Sequence, residues 1–546
     1  AYESSLGRVG SEMCIRDRRE ALGALREASI GADVLELRVD LLCGTLPTGA
    51  VLPPAALARV REQVAVLRAH SELPLLFTVR SASQGGRFPD EAHDAYFALV
   101  ELALRVGCEY VDVELQRPAA RLAAVAAARG HTRLLVSVHD TTGSLRWDAP
   151  ETRALYERGA ALGDVVKIVG VARTMQDNLA LEAFRASVAG GAPLIALNMG
   201  AVGQLSRVLN DTLTPVTHPA LPARAAPGQL SVREIHTARH LLGLLPARRF
   251  VLLGSPIAHS LSPLLHNTGF ELLGLPHVYE RHECEELGDA EVALLRSPEF
   301  GGASVTIPHK LRIMQLLDDV APDAQVIGAV NTVVPSRAEA AESVRLTGHN
   351  TDWLAIHALA AEALGGVPPT TALVIGAGGS ARAAIYAMHR LGAQRILLFN
   401  RTHERAEALA ADVPAEWHVQ PVRTLEEAAA LAPAAIVSNV PAAGTAIAPG
   451  TPEAGVVLPA DLLRHVPGGG VAIDMAYKPE HTPLLELVHR ATQQDTAHGA
   501  PARWKGVPGL AILLAQGFAQ FRLWTGLAPP REAIADRAWA AYRAQA

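Results

Sequence analysis

Cysteine is scarce in this 546-residue chain, and aromatic residues make up only 4% of it. The four cysteines, Cys14, Cys43, Cys108 and Cys284, lie far apart and form no Cys-x-x-Cys pair. This spacing argues against a disulfide framework and against a zinc-binding module, so we expect no metal site. Free thiols of this kind are typical of a reducing compartment, which points to the cytoplasm.

Long apolar runs and an excess of positive charge are also absent. Hydrophobic residues make up 49% of the chain and charged residues 19%, which is typical of a globular protein with large cores. No uninterrupted apolar run has the length of a membrane span, and charged residues interrupt the start of the chain, where a signal peptide would be apolar. The net charge of −6, with 49 basic and 55 acidic side chains, predicts neither a nucleic-acid nor a membrane partner.

The first 17 residues, AYESSLGRVGSEMCIRD, show neither helical nor strand periodicity. They resemble translated sequencing-adapter sequence, and we interpret residues 1–17 as a non-native leader. The length of the remaining chain predicts two to four domains.

From residue 18 to residue 245, short apolar strands alternate with Ala- and Leu-rich helical segments, in which apolar residues recur three and four positions apart. The predicted strands cover residues 34–39, 75–80, 110–115, 134–139, 165–169, 194–198 and 213–216. Repeated β-α units over this length predict an α/β fold, a parallel (β/α)8 barrel. Because only seven strands are found, we expect the first strand to be missing or replaced ahead of a helix at residues 18–29.

Lys167 interrupts an apolar strand pattern, DVVKIV. A lone lysine of this kind is more often a strand end that reaches solvent than a catalytic group. However, His139, Arg80 and the pair Glu36 and Arg38 also stand at or near the ends of predicted strands. Barrel enzymes assemble their sites from the ends of several strands, and a neutral lysine amine can form a Schiff base with a ketone. The set therefore favours a Schiff-base site over isolated strand ends.

Residues 18–245 resemble the type I 3-dehydroquinate dehydratases in the motifs ELRVD, FTVRS, VDVEL, VSVHD, VVKIV, MGAVGQLSR and APGQ. The resemblance implies that Lys167 forms an imine with the substrate ketone. It also implies that His139 removes the neighbouring proton and later protonates the departing hydroxyl. Arg207 would hold the substrate carboxylate. The groups that would bind hydroxyls or orient the others are Glu36, Arg38, Arg80 and Gln229.

Two positions depart from this family's pattern. Gln84 stands where many members carry a glutamate that helps to orient the histidine, so His139 is expected to be held differently. Ala225 stands where a serine often contacts the substrate. Neither change removes the chemistry.

A second α/β region follows a short polar joint at residues 246–249. We predict one domain at residues 250–368, completed by residues 510–546, and another at residues 369–509. In the latter, a strand at 372–375 leads through a Gly-rich turn into a helix at 381–390, as in dinucleotide-binding folds. A glycine pattern alone is often just a tight turn, but this setting favours dinucleotide binding. The turn comprises Gly376, Ala377, Gly378, Gly379, Ser380 and Ala381.

The next predicted strand, residues 395–399, ends without the acidic residue that binds the ribose hydroxyls of NAD. It is followed by Asn400, Arg401, Thr402 and Arg405. The two arginines could simply cap a solvated helix start, but together with the missing acid they favour a 2′-phosphate. We therefore expect the cofactor to be NADP.

Residues 250–526 resemble the shikimate dehydrogenases in SPIAHSLSP, SVTIPHK, AVNT, GHNTD, DMAYKP and the segment 509–516. Taken singly, the polar residues of these motifs are typical helix caps or surface groups. The resemblance implies that Lys310 and Asp352 form a catalytic pair, and that Met475 and Gly509 border the nicotinamide. The implied substrate-binding residues are Ser260, Ser262, Thr306, Asn331, Tyr477 and Gln516. Ser304 and the Asn439-Val-Pro turn depart from the family's usual residues.

Together the two resemblances imply a bifunctional shikimate-pathway enzyme. It would dehydrate 3-dehydroquinate and then reduce 3-dehydroshikimate to shikimate with NADPH, acting on small molecules, with a homodimer left open. One alternative is an aldolase-type barrel joined to a quinate-oxidising dehydrogenase. Another is a ligand-sensing regulator, which would be expected to lose catalytic residues, yet Lys167, His139, Lys310 and Asp352 are all present.

Overall fold

A computed structural model describes residues 11–15, 25–42, 52–221, 226–337, 344–439, 456–459, 461–464, 466, 468–479, 481–498 and 500–545. The chain divides into two compact units, one made mostly of residues 6–246 and the other mostly of residues 247–546. Among the described residues, no helix combines the length and apolarity that a membrane crossing requires. Ala225, most of the helix predicted at 18–29 and most of residues 1–17 lie outside the described residues.

The first unit alternates strands with helices. Its strands are β1 Ser11–Ile15, β2 Val34–Arg38, β3 Leu75–Thr78, β4 Tyr110–Glu114, β5 Arg133–His139, β6 Val165–Val171, β7 Leu194–Met199 and β8 Thr214–Val216. Its helices are α1 Pro54–His70, α2 His93–Arg105, α3 Ala119–Ala128, α4 Pro150–Leu162, α5 Met175–Ser187, α6 Gln204–Leu209 and α7 Val232–Leu241. Short 3-10 turns cover Val39–Leu41 and Ala82–Gln84. Helix α7 ends at Leu241, and Gly243 adopts a positive φ of 73° just beyond it, which is typical of a helix C-terminus.

The strands of the first unit run in the order β7-β6-β5-β4-β3-β2-β1-β8, with parallel pairing throughout. This is the cyclic order of a (β/α)8 barrel, interrupted between β7 and β8. Side chains from distant strands pack into one buried cluster, namely Val34, Leu76, Leu135, Val165, Ile195 and Leu197, with Tyr110 and Leu213 against it. Because a flat sheet would hold β2 and β7 far apart, this shared cluster shows that the sheet is curled around a common interior.

The position of the first strand is occupied by Ser11–Ile15. Met13 lies opposite Leu35 of β2 and Val216 of β8, and both pairings are parallel. The sequence of this stretch shows no strand periodicity, and it predicts that the first strand is missing or replaced. The structure places part of the presumed leader there. A five-residue strand flanked on both sides has its backbone groups satisfied by its neighbours, so it needs little side-chain periodicity.

The barrel interior changes from apolar to polar along the strands. Alternate residues of a strand face the same side, so the residues two positions after the apolar cluster also point inward. These next inward positions are buried and polar, namely Glu36, Thr78, Asp112, Ser137 and Lys167. The polar layer lies toward the carboxyl ends of the strands, where barrel enzymes place their sites.

The second unit contains a mixed sheet and a parallel sheet. The mixed sheet has the order β10-β9-β11-β13-β14-β12 and comprises β9 Arg249–Gly254, β10 Val278–Glu283, β11 Phe300–Val305, β12 Asp319–Val320, β13 Thr332–Ser336 and β14 Arg345–His349. Strand β13 is antiparallel to β11 and β14. The helices that follow or interrupt these strands are α8 Ser262–Leu273, α9 Asp289–Leu295, α10 Pro322–Ile327 and α11 Asp352–Ala363, with a 3-10 turn at Arg312–Leu316.

The parallel sheet has the doubly wound order β17-β16-β15-β18-β19-β20. Its strands are β15 Thr371–Ile375, β16 Arg395–Phe399, β17 Val419–Val422, β18 Ala435–Ser438, β19 Gly470–Asp474 and β20 Trp504–Val507. The order reverses between β15 and β18, and ligands of such sheets bind at this switch point. The associated helices are α12 Gly379–Arg390, α13 His403–Asp412, α14 Leu425–Ala430 and α15 Pro483–Ala497, with a 3-10 turn at Ala415–Trp417.

Two final helices, α16 Gly509–Thr525 and α17 Arg531–Gln545, follow the parallel sheet. Helix α16 returns to the mixed sheet, because the Trp524 indole donates a hydrogen bond of 3.0 Å to the Val333 carbonyl of β13. The assignment of residues 510–546 to the domain at residues 250–368 stays a prediction, and this contact agrees with it.

Candidate active sites

Lys167 lies on β6 in the polar layer of the barrel, and the residue is only 4% exposed. It pairs across the sheet with Ser137 of β5, and His139 follows two residues later on that strand. Because strand residues two apart share a face, Ser137 and His139 point to the same side as Lys167. The structure thus brings the predicted lysine and histidine to the same end of the barrel interior.

Arg80 lies just beyond β3 and is compensated by acidic side chains. Its guanidinium donates to Asp112 Oδ2 at 2.5 Å and to Ser137 Oγ at 2.7 Å, and the Ser137 hydroxyl donates to Asp112 Oδ1 at 2.5 Å. Arg38 makes two hydrogen bonds of 2.8 Å to the carboxylate of Asp40. Both arginines are therefore fixed in place by carboxylates.

Asp112, Ser137 and Glu114 are not among the predicted site residues, although the structure places them beside Arg80. Glu114 Oε1 accepts hydrogen bonds from the Ser81 backbone N–H at 2.8 Å and from the Ser81 hydroxyl at 2.9 Å. All three stand at alternate positions of VDVEL and VSVHD, so a period-two count along those strands could have found them.

His139 is held through its backbone. Its N–H donates to Gln84 Oε1 at 2.9 Å, and Gln84 Nε2 in turn donates to Gln116 Oε1 at 2.8 Å. Among the described residues, His139 Nδ1 has no hydrogen-bond partner. Burial, followed by the positive charges of Arg80, Lys167 and Arg38, holds the pKa of His139 well below its usual value. The imidazole is therefore neutral at physiological pH and free to accept a proton.

Three other predicted residues of the first site, Glu36, Arg207 and Gln229, are all buried. Arg207 in α6 donates to the Pro215 carbonyl of β8 at 3.1 Å, and Gln229 Oε1 accepts from the Ala226 N–H at 3.2 Å. The loop that carries Gln229 lies against the turn after β7, where a Cβ on Gly228 would come within 2.4 Å of the Gly200 carbonyl oxygen. Only glycine permits this approach, which places Gln229 close to the carboxyl end of β7.

In the second unit, Lys310 is 9% exposed and bridges two parts of the chain. Its Nζ donates to Asp352 Oδ2 at 2.6 Å and to Ser380 Oγ at 2.8 Å. Asn331 Nδ2 donates to Asp352 Oδ1 at 2.9 Å, and Asn331 Oδ1 accepts from the Thr351 N–H at 2.7 Å. The predicted pair of Lys310 and Asp352 is thus formed, with Asn331 fixing the carboxylate.

A cleft of about 250 Å³ surrounds this pair. The predicted residues that line it are Ser260, Ser262, Thr306, Lys310, Asn331, Asp352, Ser380, Met475, Tyr477, Gly509 and Gln516. Residues on this lining that the sequence analysis did not assign to the site include His259, Ser304, Asn439 and Gln520. The Tyr279 hydroxyl donates to Ser304 Oγ at 2.7 Å, and that hydroxyl donates to Gln520 Oε1 at 2.8 Å. The pairing of Ser304 with Gln520 spans 216 residues, so no local motif could reveal it.

Ser380 was grouped with the cofactor turn, but the structure places its hydroxyl on Lys310. The preceding residue approaches the same side chain, since a Cβ on Gly379 would lie 3.1 Å from Lys310 Cβ and 3.2 Å from Leu311 Cδ1. The first turn of α12 therefore packs directly against the lysine.

The turn between β15 and α12 has the form that a dinucleotide requires. Gly376 has a φ of 119°, a conformation that favours glycine. Gly378 is the N-cap of α12, and a Cβ there would meet open space, so the backbone at the helix start is accessible. After β16, Asn400 Nδ2 donates to the Thr402 carbonyl at 2.7 Å, and Arg401 and Arg405 are exposed. These residues fit a pyrophosphate at the helix start and an anion beside the arginines.

Family models match the chain in four segments. Residues 12–246 match the type I 3-dehydroquinase model, and residues 252–333 match the shikimate dehydrogenase substrate binding domain. Residues 358–447 match the shikimate / quinate 5-dehydrogenase model, and residues 509–538 match the shikimate 5′-dehydrogenase C-terminal domain.

Two relatives are fungal pentafunctional AROM polypeptides. The protein from Malassezia globosa is 60% identical over 531 residues, which cover 97% of this chain. The protein from Mycosarcoma maydis is 50% identical over 541 residues, which cover 95% of this chain. The chain spans about a third of the length of these relatives, 32% and 31% respectively.

A solved structure, dehydroquinate dehydratase and shikimate dehydrogenase from S. pombe AroM, is 38% identical to the chain, with a TM-score of 0.76. The similarity covers 97% of this chain and 98% of that one. The chain therefore belongs to the family in which a type I 3-dehydroquinate dehydratase is fused to a shikimate dehydrogenase.

Proposed function

We propose that the chain catalyses two consecutive reactions, the dehydration of 3-dehydroquinate to 3-dehydroshikimate and the NADPH-dependent reduction of 3-dehydroshikimate to shikimate. One observation carries this proposal. The chain has only four lysines, and the two that are buried, Lys167 and Lys310, each lie in one of the two candidate sites. The other two, Lys478 and Lys505, are partly or fully exposed. Since lysine is rarely buried without a specific partner or role, this distribution is best explained by catalysis.

The barrel site supports dehydration through an imine. The Lys167 amine attacks the substrate ketone, and loss of water gives an iminium that makes the adjacent C–H acidic. The neutral imidazole of His139 takes that proton to leave an enamine. The enamine expels the neighbouring hydroxyl, which His139 protonates as it departs, and hydrolysis of the remaining iminium releases the product and Lys167. Arg207 would pair with the substrate carboxylate, and the fixed arginines, Arg38 and Arg80, would orient the hydroxyls.

The cleft of the second unit supports reduction of a ketone that carries hydroxyls. Lys310 would donate a proton to the carbonyl oxygen as it becomes a hydroxyl, and Asp352 holds the ammonium in place at 2.6 Å. Hydroxyl and amide groups around the cleft would bind the carboxylate and ring hydroxyls, namely Ser260, Ser262, Thr306, Asn331, Tyr477 and Gln516. These groups are spread over several elements, which favours a small polar substrate over a long chain.

NADPH, when bound, supplies the hydride for this reduction. The turn from Gly376 to Ala381 would hold the pyrophosphate, Arg401 and Arg405 would pair with the 2′-phosphate, and Met475 and Gly509 would border the nicotinamide. Support comes from the accessible start of α12 and from the absence of an acid at the end of β16.

The domain limits that we propose are residues 18–245 together with strand β1 for the dehydratase, 250–368 with 510–546 for the substrate domain, and 369–509 for the cofactor domain. The scarcity of cysteine supports a cytoplasmic location. The proposed ligands are small molecules. The proposed function is compatible with a homodimer.

Borohydride trapping tests the first reaction. Reduction of the chain in the presence of 3-dehydroquinate should make the peptide that contains Lys167 heavier by the mass of the substrate less one oxygen atom. The imine forms with loss of water, and its reduction adds two hydrogen atoms to give a stable secondary amine. Lys167→Ala should lose the adduct and lower the dehydratase rate more than about a thousandfold, whereas Lys505→Ala should keep both. Circular dichroism and the rate of 3-dehydroshikimate reduction together report on the fold of the whole chain in each variant. An adduct on another lysine, or an unchanged dehydratase rate in Lys167→Ala, would refute the assignment.

The pH dependence of the dehydratase tests the role of His139. A base with a lowered pKa stays neutral in mildly acidic solution, so the acid limb of kcat/KM should lie below pH 6.5, the usual value for histidine. Gln84→Glu places a carboxylate beside the histidine and should move this limb to higher pH. If the limb lies above pH 6.5 in the parent chain, the base is not a histidine in this environment.

Ser380→Ala tests whether the hydroxyl positions Lys310 or binds the cofactor. Loss of a hydrogen bond to a charged group is worth about 1.5–3 kcal/mol, so kcat for 3-dehydroshikimate reduction should fall roughly tenfold to a hundredfold. The KM for NADPH should change little, and Ser380→Thr should recover part of the rate. A raised KM for NADPH with an unchanged kcat would instead assign Ser380 to the cofactor.

Arg401→Ala tests the preference for NADP. Removal of a charged hydrogen-bond donor to the 2′-phosphate should raise the KM for NADPH about tenfold, with little effect on the KM for NADH. Arg490→Ala, which removes an exposed arginine paired with Glu486 on α15, is the matched control and should change neither constant. Equal effects of Arg401→Ala on the two cofactors would contradict phosphate pairing.

A further inference from the structure

Three potential metal ligands converge beside the mixed sheet of the second unit. His282 lies on β10, Cys284 follows two residues later, and Glu291 lies in the first turn of α9. The imidazole nitrogen, the sulfur and the carboxylate oxygen that they offer all lie within 4.8 Å of one another. All three residues are partly exposed, so an ion could reach them from solvent.

An ordinary structural role explains only part of this cluster. Glu291 Oε2 accepts a hydrogen bond of 2.9 Å from the Gly288 N–H at the start of α9, and Glu291 Oε1 lies 2.9 Å from His282 Nε2. Helix capping therefore accounts for the glutamate and its histidine partner. It gives no role to the Cys284 sulfur, which points into the same group of ligand atoms.

We propose that His282, Cys284 and Glu291 bind a divalent cation of the zinc class. Imidazole, thiolate and carboxylate are the ligands that Zn²⁺ takes in proteins, and three protein ligands leave its fourth position to water. The thiolate and the carboxylate together offset the two positive charges. The surrounding segment adds further negative charge, with only Arg281 against Glu280, Glu283, Glu285, Glu286 and Asp289.

No sequence motif predicts this site, because Cys284 has no other cysteine near it in the sequence. A strand, a turn and the start of a helix bring the glutamate back to a histidine nine residues earlier. The absence of Cys-x-x-Cys pairs therefore excludes the common zinc modules without excluding a site made by the fold.

Cys284 of the proposed cation site contacts His309, the neighbour of Lys310 in the sequence. His309 Nε2 lies 2.8 Å from the Cys284 carbonyl and 3.5 Å from the Cys284 sulfur, and His309 directly precedes Lys310. A cation that draws the sulfur toward His282 and Glu291 would shift this contact. We therefore expect the cation to inhibit the reduction of 3-dehydroshikimate and to leave the dehydratase rate unchanged. This consequence rests on the proposed function, whereas cation binding does not.

Titration of the tag-free full chain with Co²⁺ tests the site directly, because a cobalt–thiolate bond adds a charge-transfer absorption band. One equivalent should produce the band, and Zn²⁺ should displace it. Cys284→Ser should abolish the band, and His282→Gln and Glu291→Gln should each weaken Co²⁺ binding by more than about tenfold. Cys108→Ser is the matched control, because this buried thiol lies in the first unit and should leave the band intact.

Circular dichroism and the rate of 3-dehydroshikimate reduction in the absence of added cation report on the fold of each variant. The His282 side chain is 29% exposed and the Glu291 side chain 12%, so His282→Gln should disturb packing less than Glu291→Gln. No thiolate band in the parent chain, a band that survives Cys284→Ser, or unchanged Co²⁺ affinity in His282→Gln would overturn the proposal. Inhibition of the dehydrogenase without a thiolate band would assign the cation to another place, and would also count against it.

Discussion

The burial of positive charge governs both sites. A buried ammonium or guanidinium is stable only when carboxylates or hydroxyls replace the water that it loses. Arg80 has Asp112 and Ser137, and Lys310 has Asp352 and Ser380. These partners come from different strands and helices, so each charge is compensated only in the complete fold. In the barrel, the buried apolar cluster that contains Val34 and Leu197 packs beneath the polar layer and supports it.

The two sites follow the same structural rule with different sheets. In the barrel, the polar layer lies above an apolar one toward the carboxyl ends of the strands. In the second unit, the glycine turn follows the carboxyl end of β15 at the point where the strand order reverses. The barrel therefore combines an apolar layer with a polar one inside its strands, whereas β15 is apolar from Ala372 onward and its polar chemistry begins in the glycine turn.

Most of this arrangement could be predicted from the sequence, because strong local patterns mark it. The seven predicted barrel strands are all present, and the motif residues of the second half line one cleft. The features that could not be predicted depend on contacts between residues that lie far apart in the sequence. Strand β1 is defined by its neighbours β2 and β8, and the hydroxyl of Ser380 meets Lys310 across 70 residues. Asp112 is a different case. Polar and apolar residues alternate along β4, and this alternation already indicates that the Asp112 side chain faces the barrel interior.

The contact of α12 with Lys310 has a mechanical consequence. Gly379 packs against the stem of the lysine and Ser380 binds its ammonium, so the amine is shared between the glycine turn and the mixed sheet. Any outward swing of the parallel sheet must break a charge-assisted hydrogen bond worth about 1.5–3 kcal/mol and wet the ammonium. A movement of the glycine turn away from the mixed sheet would therefore remove Ser380 from the Lys310 ammonium and leave Asp352 in contact with it.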